Sequence, residues 1–119
     1  MGLKQIIERL AEIPGVITVL LLGRDGMLLE SASKSAGDNP EMIAAYSRDT
    51  ILAAERMTAD LGQGNLIMGI MEFSRGVALI ANISRMCKLL VLSQRGTNLA
   101  DLWNAVGQQF VTLRKSVNF

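Results

Sequence analysis

Histidine is absent from the 119 residues and cysteine occurs once, at Cys87. Without imidazole there is no Ser-His-Asp or Cys-His nucleophile, no neutral-pH imidazole base and no His-bearing zinc or haem site. A lone thiol makes neither an intrachain disulfide nor a multi-cysteine metal site. Catalysis would have to rest on carboxylates, lysine, Tyr46 or Cys87, so binding is the expected occupation, with no cofactor and no metal. Charge of one sign is also missing: 12 Lys plus Arg face 11 Asp plus Glu, a net +1. That balance excludes general attraction to nucleic acid or to an anionic membrane surface. Aromatics make up only 4% of the chain, which leaves little to stack on bases. No long hydrophobic run occurs either. The longest uncharged stretch, Leu102 to Leu113, has 12 residues, against the roughly 20 that span a bilayer. At the N-terminus Lys4, Glu8 and Arg9 interrupt what a signal peptide would need as an apolar region, and Ile6 stands where a myristoylation signal requires Ser or Thr. A cytoplasmic protein without membrane insertion is expected, and a free thiol is normal there.

What is present is apolar: half of the residues are hydrophobic. The length suits one domain spanning 1–119, large enough to bury about two thirds of its unfolded surface. Leu3, Ile6, Ile7, Leu10 and Ile13 form one stripe of an amphipathic helix that Pro14-Gly15 stops. Val16 to Leu22 and Met27 to Ala32 read as a hairpin around Gly23-Arg24-Asp25-Gly26. Ser33 to Asn39 is a polar loop, and Pro40 suits the first turn of a second helix. Past Gly62-Gln63-Gly64 come three strands, Asn65 to Phe73, Val77 to Ile83 and Lys88 to Gln94, joined by turns short enough to require an antiparallel meander. A third amphipathic helix, N-capped by Asn98, then carries Leu99, Leu102, Trp103, Val106, Phe110, Leu113 and Val117 on one face. The order α-β-β-α-β-β-β-α packs most simply as a three-layer α/β/α sandwich. It has a five-stranded antiparallel sheet, the second helix on one face and the terminal helices on the other.

The second helix, Pro40 to Leu61, carries two apolar stripes. The bulkier, Ile43, Tyr46, Thr50, Ala53 and Met57, is expected to cover the sheet. The smaller, Ala44, Ser47, Ile51, Ala54, Thr58 and Leu61, would let another helix approach closely. The strand from Asn65 has no charge before Glu72, so at a sheet edge it lacks the devices that discourage pairing. Together these features suggest a two-fold interface made of the small stripe plus Ile67, Gly69 and Met71. The alternative is a monomer in which other parts of the chain cover both.

The remaining candidates have simpler readings. The glycine clusters at Gly23 and Gly62 join strand to strand and helix to strand, whereas a phosphate loop joins a strand to a helix N-terminus. Asp49 and Glu55 stand six apart and point to different helix faces, unlike a catalytic carboxylate pair. Arg24, Arg75 and Arg95 lie in turns, where they form either a basic rim or ordinary solvated surface, with Arg85 at the opposite end from Arg75 and Arg95. Lys88 beside Cys87 would lower the thiol pKa, although an unreactive thiol is the simpler expectation.

The hairpin Leu20-Leu21-Leu22-Gly23-Arg24-Asp25-Gly26-Met27-Leu28-Leu29 and the opening Thr97-Asn98-Leu99-Ala100-Asp101-Leu102 of the last helix, in this element order, resemble the Roadblock family of dynein light chain and bacterial gliding-protein type. Gly23 and Ala100 depart from the residues frequent there, Asp and Gly. The resemblance implies a homodimer, or a heterodimer with a related domain, whose sheets join through the second helix and the following strand. It also implies a Ras-like small GTPase as partner, regulated or recruited, and in some relatives stimulated in GTP hydrolysis. On this chain the exposed helix-two residues Arg48, Asp49, Leu52, Glu55 and Arg56 become the candidate partner surface, with Arg48 or Arg56 the candidates for an arginine finger. Two other readings compete: a structural adaptor that tethers larger proteins without nucleotide dependence, and a small-molecule sensor with a pocket between sheet and helix.

Overall fold

The structure, a computed structural model, describes residues 2–34 and 39–117, so the loop expected at Ser33–Asn39 lies mostly outside the described residues. The elements are α1 (Leu3–Ala11), β1 (Val16–Gly23), β2 (Leu28–Ser33), α2 (Pro40–Asp60), β3 (Met68–Glu72), β4 (Gly76–Ser84), β5 (Cys87–Gln94) and α3 (Leu99–Val117). All neighbouring strands pair antiparallel, in the order β2-β1-β5-β4-β3. The three-layer α/β arrangement expected from the pattern is the one observed.

Local chemistry sets the ends of the elements. Asn39 Oδ1 accepts from Met42 N at 3.1 Å and Pro40 occupies the first helical turn, so α2 starts with a satisfied cap. At its other end Gly62, at φ +68°, takes the left-handed conformation that lets Gln63 N donate to Thr58 O at 3.0 Å. Asn98 Oδ1 caps α3 by accepting from Asp101 N at 3.0 Å. β3 is shorter than the apolar run suggested. Asn65 to Ile67 precede the strand, and Asn82 ties them down by donating Nδ2 to Leu66 O and its backbone N to Ile67 O.

Two cores flank the sheet. On one face Ile6, Ile7 and Leu10 of α1 and Leu102, Val106 and Leu113 of α3 close over Val19, Leu21, Leu79, Leu89 and Val91. On the other, Ala44 and Ile51 of α2 pack with Leu20, Leu22, Ala78, Ile80 and Leu90. The helix packs chiefly on β1 and β2.

The two stripes of α2 are therefore reversed relative to the expectation. The small stripe faces the sheet: Ala44 is 1% and Ile51 3% exposed, and Ser47, Ala54 and Thr58 are half-buried. Of the bulky stripe only Ile43 is drawn in, whereas Tyr46 is 73% and Met57 58% exposed and Thr50 and Ala53 also face solvent. Small side chains bring the helix axis close to the strands, and Leu20, Leu22 and Leu90 supply the bulk. Ala44 and Ile51 thus have no surface left to offer a second chain.

Candidate functional site

The α2 side of the molecule carries exposed apolar surface. Tyr46, Met57 and Met42 are exposed along α2, and Leu61 lies just past its end. On the sheet, β3 is an edge strand. Gly69 and Met71 stand opposite Ile80 and Ala78, which belong to the core under α2, so they share that face. With α2 lying over β1 and β2, Met71, Phe73 and Ile67 stay exposed at 37%, 48% and 65%. Of the residues assigned to an interface from sequence, Leu61, Ile67 and Met71 are exposed, Gly69 is half-buried with no heavy atom within 4 Å of where a Cβ would stand, Ser47, Ala54 and Thr58 are half-buried, and Ala44 and Ile51 are internal.

The candidate partner residues divide into two sets. Asp49 and Arg56, two helical turns apart, share the outward face of α2. Arg48 and Leu52 instead border the β1–β2 turn. There they line a groove of about 520 Å3 together with Arg24, Met27, Leu29 and Met86. Arg48 lies against the turn itself, its Cδ 2.8 Å from where a Cβ on Gly26 would stand. Glu55 leaves the surface set: its Oε1 points inward to Lys88 Nζ at 3.5 Å and carries no hydrogen bond of its own.

Lys88 is the residue that sequence reasoning underused. It is 7% exposed, on the α2 face of β5, and its Nζ donates to Asn82 Oδ1 at 2.5 Å, Ser84 O at 2.9 Å and Arg85 O at 3.4 Å. Three acceptors and one carboxylate offset the cost of burying the Lys88 amine. A single Lys breaking an otherwise apolar strand, in register with Leu90 and Leu92, was the available signal. Its neighbour Cys87 is fully buried, and burial pushes the thiol up to about 11, outweighing the opposite pull of the Lys88 charge. The lowering expected from Lys88 is present but smaller than the effect of burial, and burial supports the unreactive reading of the thiol.

The turn arginines also separate. Arg75 and Arg95 lie at one end of the sheet, where Arg95 Nη1 donates to Ser74 O at 3.4 Å. Arg24 is at the other end, because Gly23 pairs with Cys87 and brings the β1–β2 turn beside the β4–β5 turn that holds Arg85. Among the described residues no group of His, Cys, Asp and Glu is arranged to hold a metal, and no helix is long and apolar enough to cross a membrane.

A three-layer α/β/α domain with a five-stranded antiparallel sheet and this element order defines the class. Residues 3–93 match the Roadblock/LC7 domain, and the chain belongs to that family. Its fold is similar to Myxococcus xanthus MglB, with a TM-score of 0.89 at 16% identity, covering 97% of this chain and 94% of that one. It is also similar to a Roadblock/LC7 domain from Streptomyces avermitilis, with a TM-score of 0.87 at 16% identity and full coverage of both chains. The gliding protein MglB of Thermus thermophilus superimposes with a TM-score of 0.82 at 14% identity, covering 94% of this chain and 85% of that one. No curated protein sequence matches the chain.

Proposed function

We propose that this Roadblock/LC7 chain is a non-enzymatic, dimeric regulator of a Ras-like small GTPase. The observation that carries the reading is the exposed apolar surface on α2 together with the unpaired β3 edge in a Roadblock fold. An edge strand free of charge before Glu72 is a template for antiparallel pairing with its own symmetry mate, which would extend the sheet across two chains. The seam is drawn through Tyr46, Met57, Leu61, Ile67, Gly69 and Met71, replacing the inner stripe of α2. Fold likeness to MglB proteins supports the GTPase as partner, and regulation would work by binding one nucleotide state of its switch regions more tightly than the other.

The partner surface is assigned to Arg48 and Leu52 with the apolar groove beside them, and to the outward pair Asp49 and Arg56. Co-purification with small GTPases, read by mass spectrometry after loading with GDP or a GTP analogue, tests the reading. Enrichment of one GTPase in one state is the expected result. Equal capture in both states would remove regulation and leave a tether, and capture of no GTPase would end the proposal. Single-turnover hydrolysis with Arg48→Ala and Arg56→Ala decides whether either acts as an arginine finger. A drop of about a thousandfold marks one.

A further inference from the structure

Beside α2, and sharing Arg24 and Leu52 with the groove, the sheet end opens into a second and larger cleft of about 930 Å3. Its walls come from the β1–β2 turn (Arg24), α2 (Leu52, Glu55), the segment leading into β3, the β4–β5 turn (Arg85), Lys88 and the end of α3 (Arg114). Four of the twelve basic residues of the chain line this cleft and only one of its eleven acids, although the whole molecule is nearly neutral. That one acid, Glu55, has its inward oxygen turned to Lys88. The local field is thus strongly positive for reasons of arrangement, and a concave, low-dielectric wall focuses it.

The cations have distinct parts. Lys88 directs its amine to Asn82, Ser84 and Arg85, so it contributes a fixed buried charge at the floor. Arg114 is held in place: its Nε donates to Ile83 O at 2.7 Å and its guanidinium stacks 4.7 Å from the centroid of Phe110, which leaves its outer nitrogens for the cleft. Arg24 and Arg85, in exposed turns, have no ion-pair partner among the described residues. Planar guanidinium forks suit phosphoryl oxygens. No aromatic ring lines the cleft, so a nucleobase finds nothing to stack on, while the amides of Gln63 and Asn65 suit hydroxyl groups.

We propose that this cleft binds a small, non-aromatic polyol carrying at least two phosphoryl groups, held by Arg24, Arg85 and Arg114 over the Lys88 charge. The cleft borders the assigned partner surface, sharing Arg24 and Leu52 with the groove and Ile67 with the seam, but its binding chemistry also rests on Arg85, Lys88 and Arg114 and requires no GTPase. The experiment is titration calorimetry of the purified chain with fructose 1,6-bisphosphate and pyrophosphate as probes, and with fructose and GDP as controls. The expected result is saturable submillimolar binding of the bisphosphate, one molecule per chain, weakened about tenfold or more by Arg24→Ala or Arg85→Ala. Arg75→Ala, the same change at the opposite end of the sheet, is expected to have no effect. Both altered turn residues in the cleft are exposed, so circular dichroism should confirm intact folding. Absence of saturable binding overturns the proposal, and so does an equal loss from Arg75→Ala. GDP binding about tenfold tighter than pyrophosphate would overturn the ligand class.

Discussion

Glu55 of α2 and Lys88 of β5 meet at 3.5 Å across the packing of helix on sheet. Lys88 is the more deeply placed partner and keeps three acceptors besides Glu55, whereas the inward oxygen of Glu55 has only the Lys88 charge. The two deletions are therefore unequal. Glu55→Gln keeps the shape and should cost about 1 kcal/mol, because Lys88 remains hydrogen-bonded. Lys88→Met strands Glu55 Oε1 and empties Asn82 Oδ1, and should cost about 3 kcal/mol. The double variant is expected to be more stable than Lys88→Met alone, since no uncompensated carboxylate remains. Urea unfolding of the four proteins measures the coupling, and simple additivity would mean that the pair contributes nothing.

Gly26 illustrates a backbone requirement with a neighbour. Its φ of +86° disfavours any side chain, and Arg48 occupies the space a Cβ would need. Gly26→Ala should lower stability by about 1–2 kcal/mol from the conformation alone, with a further loss from displacing Arg48. In an Arg48→Ala background the part due to Cγ and Cδ should disappear, while the conformational part and the 3.0 Å approach of the remaining Cβ stay. The midpoint of chemical denaturation in both backgrounds separates the two contributions.

Cys87 makes a pH prediction whose sign follows from burial. The folded thiol is raised to about 11 from an ordinary value of 9.0, so the unfolded chain releases the proton first. Stability is unaffected below pH 9 and falls as pH rises from 9 to 11, by roughly 2–3 kcal/mol once both forms have titrated. The observable is the difference from Cys87→Ala, which should lose stability less steeply. The native thiol should also react with a disulfide reagent far more slowly than the same thiol in denaturant.

Much of this was legible in the chain. Short apolar runs for the strands and a near-four periodicity for the helices, with Gly and Pro at the breaks, revealed the eight elements in order, because each depends on neighbours close in sequence. Asn98 is readable as a cap for the same reason. The face of α2 was not, since both stripes are apolar and only the partner surface decides between them. Leu20, Leu22 and Leu90, distant in sequence, fill the space that a bulky stripe would otherwise need. Grouping Arg24 with Arg75 and Arg95 failed similarly: the pairing of Gly23 with Cys87 joins residues 64 positions apart and carries Arg24 to Arg85. Long-range register, which no local pattern encodes, separates the elements that could be read from the cleft that could not.

The reversal of α2 also changes which substitutions test the seam. Ile51 is 3% exposed inside the protomer, so Ile51→Ala should remove about 2–5 kcal/mol of folding stability, and a charge there would unfold the chain rather than divide a dimer. Met57 and Met71 are exposed, so Met57→Glu combined with Met71→Lys should leave the fold of one chain within about 1 kcal/mol of its stability. If α2 and the β3 edge form the seam, that variant places charge on two elements of the interface, and light scattering on a sizing column should read the mass of a single chain. The unaltered protein at the same concentration should read twice that mass, with a melting temperature that rises with concentration while that of the variant does not. A variant that keeps the doubled mass would place the joining surface elsewhere, and a doubled mass absent from both proteins would remove the dimer.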